Sequence, residues 1–207
     1  MDIVSEIIGV IGQVLVFTFI PFLVYLIKNK TTKGFFEYIG IKPSTKKANL
    51  LAMAACLIFA APPLLLTFTS QEFKAIMLDP NSVTGKFRQM DFSVVSITLL
   101  LVTAILKTAF AEEIFFRGFV AKRLISAAGF LKGNLIQATL FGLIHAGIFA
   151  MTTDNLLFLF IIYLAPAMGA YVSVYLNEKV GNGSITPGWI SHSLANVLSY
   201  TIVGFVI

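Results

Sequence analysis

Apolar residues in this chain gather into long runs separated by short charged or turn-rich stretches. A helix needs about 20 mainly apolar residues to cross a bilayer. Six stretches qualify: 7–27, 48–68, 92–124, 133–151, 156–176 and 187–207. Pro21 in the first and Pro62-Pro63 in the second are tolerated in spans where neighbours re-satisfy the freed carbonyls. The pattern predicts an all-α, polytopic transmembrane helix bundle of about six spans.

The connections add orientation. Residues 28–47 hold six lysines and one acid, Glu37. The middle of that stretch, 34–41, mixes aromatics with charge and reads as a segment lying in the membrane interface. Residues 70–91 are mixed in charge, with a turn at Asp79-Pro80-Asn81, and read as an aqueous loop. One side of the bundle receives Lys28, Lys30, Lys33, Lys42, Lys46, Lys47, Lys122, Arg123, Lys132 and Lys179, the other only Lys74, Lys86 and Arg88. Ten against three makes the first side cytoplasmic and puts both termini on the outer side. Asp2 and Glu6 stand where a cleaved leader would be basic, so the first run is expected to be a retained span. Two parts result: 1–91, two spans around a basic cytoplasmic loop, and 92–207, a four-span core.

Composition agrees. The chain is 57% hydrophobic and only 12% charged, with a mean hydropathy of +0.90. Soluble domains are about 25% charged, so lipid must be the solvent here. The net charge of +5 would suggest a nucleic-acid partner in a soluble protein. Here it fixes orientation, and no nucleic-acid partner is expected. Cys56 is the single cysteine, which excludes an internal disulfide and a cysteine metal cluster. It reads as a small buried hydrophobe.

Ionisable residues inside spans cost roughly 2.5–3.5 kcal/mol each on insertion scales and default to functional readings. The set is Lys107, Glu112, Glu113, Arg117, His145 and His192, with Asn196 beside them. Glu112 and Glu113 lie in an E-E-x-x-x-R pattern. Glu113 and Arg117 share a helix face at i, i+4 and read as an internal ion pair or as groups that meet substrate. Glu112 is turned about 100° away, towards a different neighbour. His145 sits in F-x-x-x-H, and His192 and Asn196 form H-x-x-x-N. His145 alone reads equally as a satisfied core residue. His192 and Asn196 are stacked on one face, where helix-to-helix hydrogen bonding is the bland alternative. Helical rise lets all four candidates occupy one layer of the membrane. A glutamate near two imidazoles is hydrolase chemistry: Glu112 as general base for water, His145 positioning that water, and His192 with Asn196 donating to an oxyanion. Lys107 has no evident role.

These three motifs, in this order on separate spans, resemble the CPBP family (CAAX protease and bacteriocin-processing, or Abi), which includes type II CAAX prenyl endopeptidases and bacterial relatives linked to bacteriocin immunity. The resemblance implies catalytic roles for Glu112, His145, His192 and Asn196, and supporting roles for Glu113 and Arg117. It leaves the cofactor open between a metal-free glutamate mechanism, the favoured one, and zinc held by Glu112, His145 and His192. The chain is shorter than the eukaryotic endopeptidases. The expected substrate is therefore a peptide or membrane protein cut near the cytoplasmic half of the membrane, in a bacterial cell membrane. Two rival readings are a non-enzymatic peptide-binding immunity factor and a small transporter with a proton relay. The second lacks the internal repeat of transporters.

Overall fold

The computed structural model describes residues 3–207, and every regular element among them is helical. Asp2, whose charge argued against a cleaved leader, lies outside them. The helices are α1 (Ile3–Asn29), α2 (Phe35–Tyr38), α3 (Lys46–Thr69), α4 (Gln71–Met77), α5 (Val83–Arg88), α6 (Val94–Ala128), α7 (Phe130–Phe149), α8 (Leu156–Val180) and α9 (Thr186–Thr201), the last prolonged by a π-helical turn, Ile202–Val206.

Four helices, α1, α3, α6 and α8, are long and apolar enough to cross a membrane, against the six expected. Polar residues dilute the other two. In α7 these include Asn134, Gln137 and His145, and in α9 Ser191, His192, Ser193 and Asn196. Asn134, Gln137 and Ser191 are completely buried, so the dilution faces the bundle interior, where spans keep their polar groups. The outer surface is apolar: Ile8, Ile11, Leu15, Phe19, Leu57, Leu65, Leu143 and Phe160 are all exposed. A surface of that kind needs lipid around it.

Contacts sort the connections into two ends. At the basic end, Thr45 Oγ1 donates to the Val180 carbonyl (2.8 Å), Ile185 N to the Gly40 carbonyl (2.9 Å) and Lys122 Nζ to the Gly183 carbonyl (2.8 Å). At the opposite end, Asn155 Nδ2 donates to Glu72 Oε1 at 2.7 Å. The segment 34–41 is wedged into the basic end: Phe36 is exposed, but Phe35 and Ile39 are buried. Gly118 of α6 admits the Ile39 carbonyl where a Cβ would collide with it.

Residues 70–91 are not an open loop. Ser70 and Ser82 cap α4 and α5 by accepting from Phe73 N and Gly85 N, and Phe73 and Phe87 are buried. Gly204 leaves room for Phe87 against the C-terminal turn. The mixed charge of the stretch hid two aromatic anchors, which fold it into a cap. The expected turn is present, with Asp79 Oδ1 accepting from Asn81 N at 2.8 Å.

Lys107 ties α6 to α1: its Nζ lies 2.7 Å from Glu6 Oε1, which also accepts from Thr103 Oγ1 at 3.0 Å. Cys56 is buried, as expected.

Small residues set the spacing between α3 and α8. A Cβ on Gly169 would strike the ring of Phe59, and Phe59 stacks on His192 with 5.8 Å between ring centroids and an interplanar angle of 6°. Gly169→Val is therefore expected to cost about 1–3 kcal/mol through overpacking and to lower activity by displacing the His192 ring. Thermal unfolding in detergent, run beside an activity assay, checks both. A variant that loses neither would contradict this packing.

Candidate active site

The site is built on α6, α7 and α9. Two stretches of α6, Thr103–Phe110 and Glu113–Ala121, are π-helical and flank Glu112. Such widened turns are frequent at functional sites.

Glu113 and Arg117 pair as their spacing predicts. Arg117 Nε lies 3.2 Å from Glu113 Oε1, and neither side chain has any exposed surface. The Arg117 guanidinium also sits over the Phe141 ring, 3.9 Å from its centroid, a favourable cation–π placement. Gly188 at the start of α9 lets that helix approach, since a Cβ there would collide with Glu113 Oε2.

His192 bridges the two carboxylates. Its Nδ1 is 3.2 Å from Glu113 Oε1, and its Nε2 is 3.8 Å from Glu112 Oε2. The two glutamates do point differently, as the 100° offset requires, but this imidazole meets both. Glu113 is thus more than Arg117's partner, because it also anchors the ring that faces Glu112. The Phe59 and Phe141 rings hold the imidazole flat and edge-on respectively.

His145 is half-buried on α7. Its Nδ1 lies 2.8 Å from the Phe141 carbonyl. A carbonyl only accepts, so Nδ1 carries a proton, and in the neutral ring Nε2 keeps a free lone pair. His145 lies near Glu112 and His192. Glu112 Oε2 has no hydrogen-bond donor within the chain.

Asn196 faces α6. Its Nδ2 donates to Thr108 Oγ1 at 2.8 Å and, more weakly, to the Ala104 carbonyl at 3.4 Å. Thr108 and Tyr200 were not singled out in the sequence. Tyr200 makes side-chain contact with Thr108, and it continues the His192–Asn196 spacing by a further four residues. That i, i+4, i+8 stripe was the available signal.

A cavity of about 390 Å³ opens beside these groups. His145, His192, Asn196 and Tyr200 line it together with Phe59, Phe141, Ile162 and Pro166, and Met77, Asp79, Asn81 and Thr152 line it from the cap and the α7–α8 connection. It therefore extends towards the end opposite the basic loops. Among the described residues no group of three or more His, Cys, Asp and Glu side chains is disposed to hold a metal ion. The zinc alternative of Glu112, His145 and His192 does not form such a group.

The geometry thus brings Glu112 and Glu113 against His192, pairs Glu113 with Arg117, and sets His145, His192 and Asn196 on the cavity wall, which Glu112, Glu113 and Arg117 do not line. A model of the family described as type II CAAX prenyl endopeptidase Rce1-like matches residues 94–198, a stretch that contains all six. No curated protein and no solved structure matches the chain. With half of its length matched, from the start of α6 into α9, the chain belongs to the Rce1-like family of type II CAAX prenyl endopeptidases.

Proposed function

We propose that the chain is an intramembrane endopeptidase that adds water across a peptide bond without a metal. The observation that supports this reading best is the meeting of Glu112 with the free face of His192 beside the cavity, 3.8 Å apart. Water enters between Glu112 and the unprotonated Nε2 of His145. Glu112 takes a proton as the water oxygen attacks the scissile carbonyl carbon. The oxyanion receives hydrogen bonds from His192 Nε2 and Asn196 Nδ2. For His192 this needs the doubly protonated ring, with Nδ1–H held by Glu113 and Nε2–H facing the reaction. Glu112 then passes its proton to the leaving nitrogen as the C–N bond breaks, which restores the starting carboxylate.

The substrate is a peptide or a segment of a membrane protein. In this reading α7 and α9 also span the membrane, giving six spans. The ten basic residues at one end against three at the other place both termini outside. The cap end of the cavity then faces outward, away from the cytoplasmic half first expected. Asn81→Cys in a Cys56→Ser background is expected to react with a membrane-impermeant maleimide added to intact cells. Labelling only after the cells are opened would reverse this orientation.

The central test is cleavage of a peptide panel by the purified chain, with and without a strong chelator. The proposal expects cleavage unaffected by the chelator. Loss of cleavage on chelation, restored by zinc, would replace the metal-free route with the metal-dependent one. No cleavage of any peptide, with cell protection intact, would favour the binding-only reading.

A further inference from the structure

Thr108 belongs to none of the three motifs, yet it makes the shortest hydrogen bond to a proposed oxyanion donor. Its hydroxyl oxygen lies 3.0 Å from the Thr103 carbonyl and 3.1 Å from the Ala104 carbonyl. Carbonyl oxygens only accept, so the single hydroxyl proton is committed to the backbone of its own helix. Towards Asn196 the Thr108 oxygen can therefore act only as an acceptor. The amide atom 2.8 Å from it is the nitrogen, the orientation that fits a hydroxyl proton directed to the backbone carbonyls.

The second amide N–H has a poorer partner. It reaches the Ala104 carbonyl at 3.4 Å, beyond the usual range for N–H···O bonds. An oxyanion can replace that long contact at little cost, while the short bond to Thr108 persists. Ala104, Thr108 and Glu112 follow at four-residue intervals on α6, and they oppose Asn196 and His192 on α9. The amide nitrogen thus faces α6, the helix that carries Glu112.

We infer that Thr108 is a positioning residue: it pins the Asn196 amide with its nitrogen turned to α6, so that the N–H on the long Ala104 contact can pass to the oxyanion. The inference rests on the peptidase reading above. It gives a role to a hydroxyl that would otherwise be read as ordinary backbone-bonding threonine in a span.

The test compares Thr108→Val, Thr108→Ser and Asn196→Ala, using a fluorogenic peptide chosen from the panel because the unaltered chain cleaves it. Valine keeps the shape and removes the acceptor, and serine keeps the acceptor. Thr108→Val is expected to lower kcat on the order of 10-fold with little change in KM, less than the 10²–10³ typical of losing an oxyanion donor outright. Thr108→Ser should restore kcat. Adding Thr108→Val to Asn196→Ala should cost nothing further, because the group it positions is already gone. Unchanged kcat in Thr108→Val, an equal loss in Thr108→Ser, or additive losses in the double variant would each overturn the inference. Glu112→Gln separates the two levels. If it is inactive while Thr108→Val is normal, only the positioning role fails; if it cleaves normally, the peptidase reading fails.

Discussion

Glu112→Gln is expected to lower kcat/KM by about 10²–10⁴-fold, the range typical of losing a general base, with KM and thermal stability little changed. Gln preserves the volume and hydrogen-bonding length of the side chain but cannot take a proton from water. Glu112 suits this role by what it does not touch. Glu113 is spent on Arg117 and His192, whereas Glu112 Oε2 receives no hydrogen bond from the chain and lies 3.8 Å from His192 Nε2. That oxygen is therefore left without a donor from the chain, as a base that accepts from water requires. A steady-state assay on the purified variant reads the effect directly. Near-normal cleavage would remove the residue on which the mechanism is built. An immunity protein that only binds its peptide predicts otherwise: Glu112→Gln would still protect cells, since the amide fills the same space.

The candidate site was largely legible because charge in an apolar run is conspicuous. Glu112, Glu113, Arg117, His145 and His192 stand out for that reason, and the i, i+4 spacing of His192 and Asn196 puts both on one helix face. Thr108 was not legible. A threonine in a span carries no charge and ordinarily bonds to its own backbone, so its contact with Asn196, 88 residues away, leaves no local trace. Lys107 failed for the same reason, because its partner Glu6 is 101 residues distant. The link between Glu113 and His192 also depends on how closely two helices approach. Gly188 permits that approach, but one glycine near a helix start does not announce what it admits. The cap was misread because its two buried aromatics, Phe73 and Phe87, are surrounded by charged and polar neighbours. Apolar runs identified α1, α3, α6 and α8, while α7 and α9 are diluted by the polar groups that turn inward.

Arg117→Met is expected to be the most destabilising single substitution in the site, by about 3–5 kcal/mol, the usual cost of breaking a buried ion pair from one side. The guanidinium has no exposed surface, lies 3.2 Å from an equally buried carboxylate and covers the Phe141 ring at 3.9 Å. Removing it leaves Glu113 with His192 as its remaining neighbour of opposite potential. The double variant Glu113→Gln with Arg117→Met should recover most of that stability, since replacing both partners of a buried pair is often nearly neutral. Activity should not recover with it. A neutral amide at 113 no longer holds Nδ1–H of His192 as a carboxylate does, and the ring then loses its fixed presentation to Glu112. Thermal unfolding in detergent and cleavage of the same peptide, measured on all three variants, separate the two roles. If the double variant were both stable and fully active, the pair would be a packing device alone and the anchoring of His192 by Glu113 would be irrelevant to the reaction. If Arg117→Met were as stable as the unaltered chain, Glu113 would not be carrying its charge in this layer. Stability regained without activity is the outcome that the Glu113–His192 contact at 3.2 Å demands.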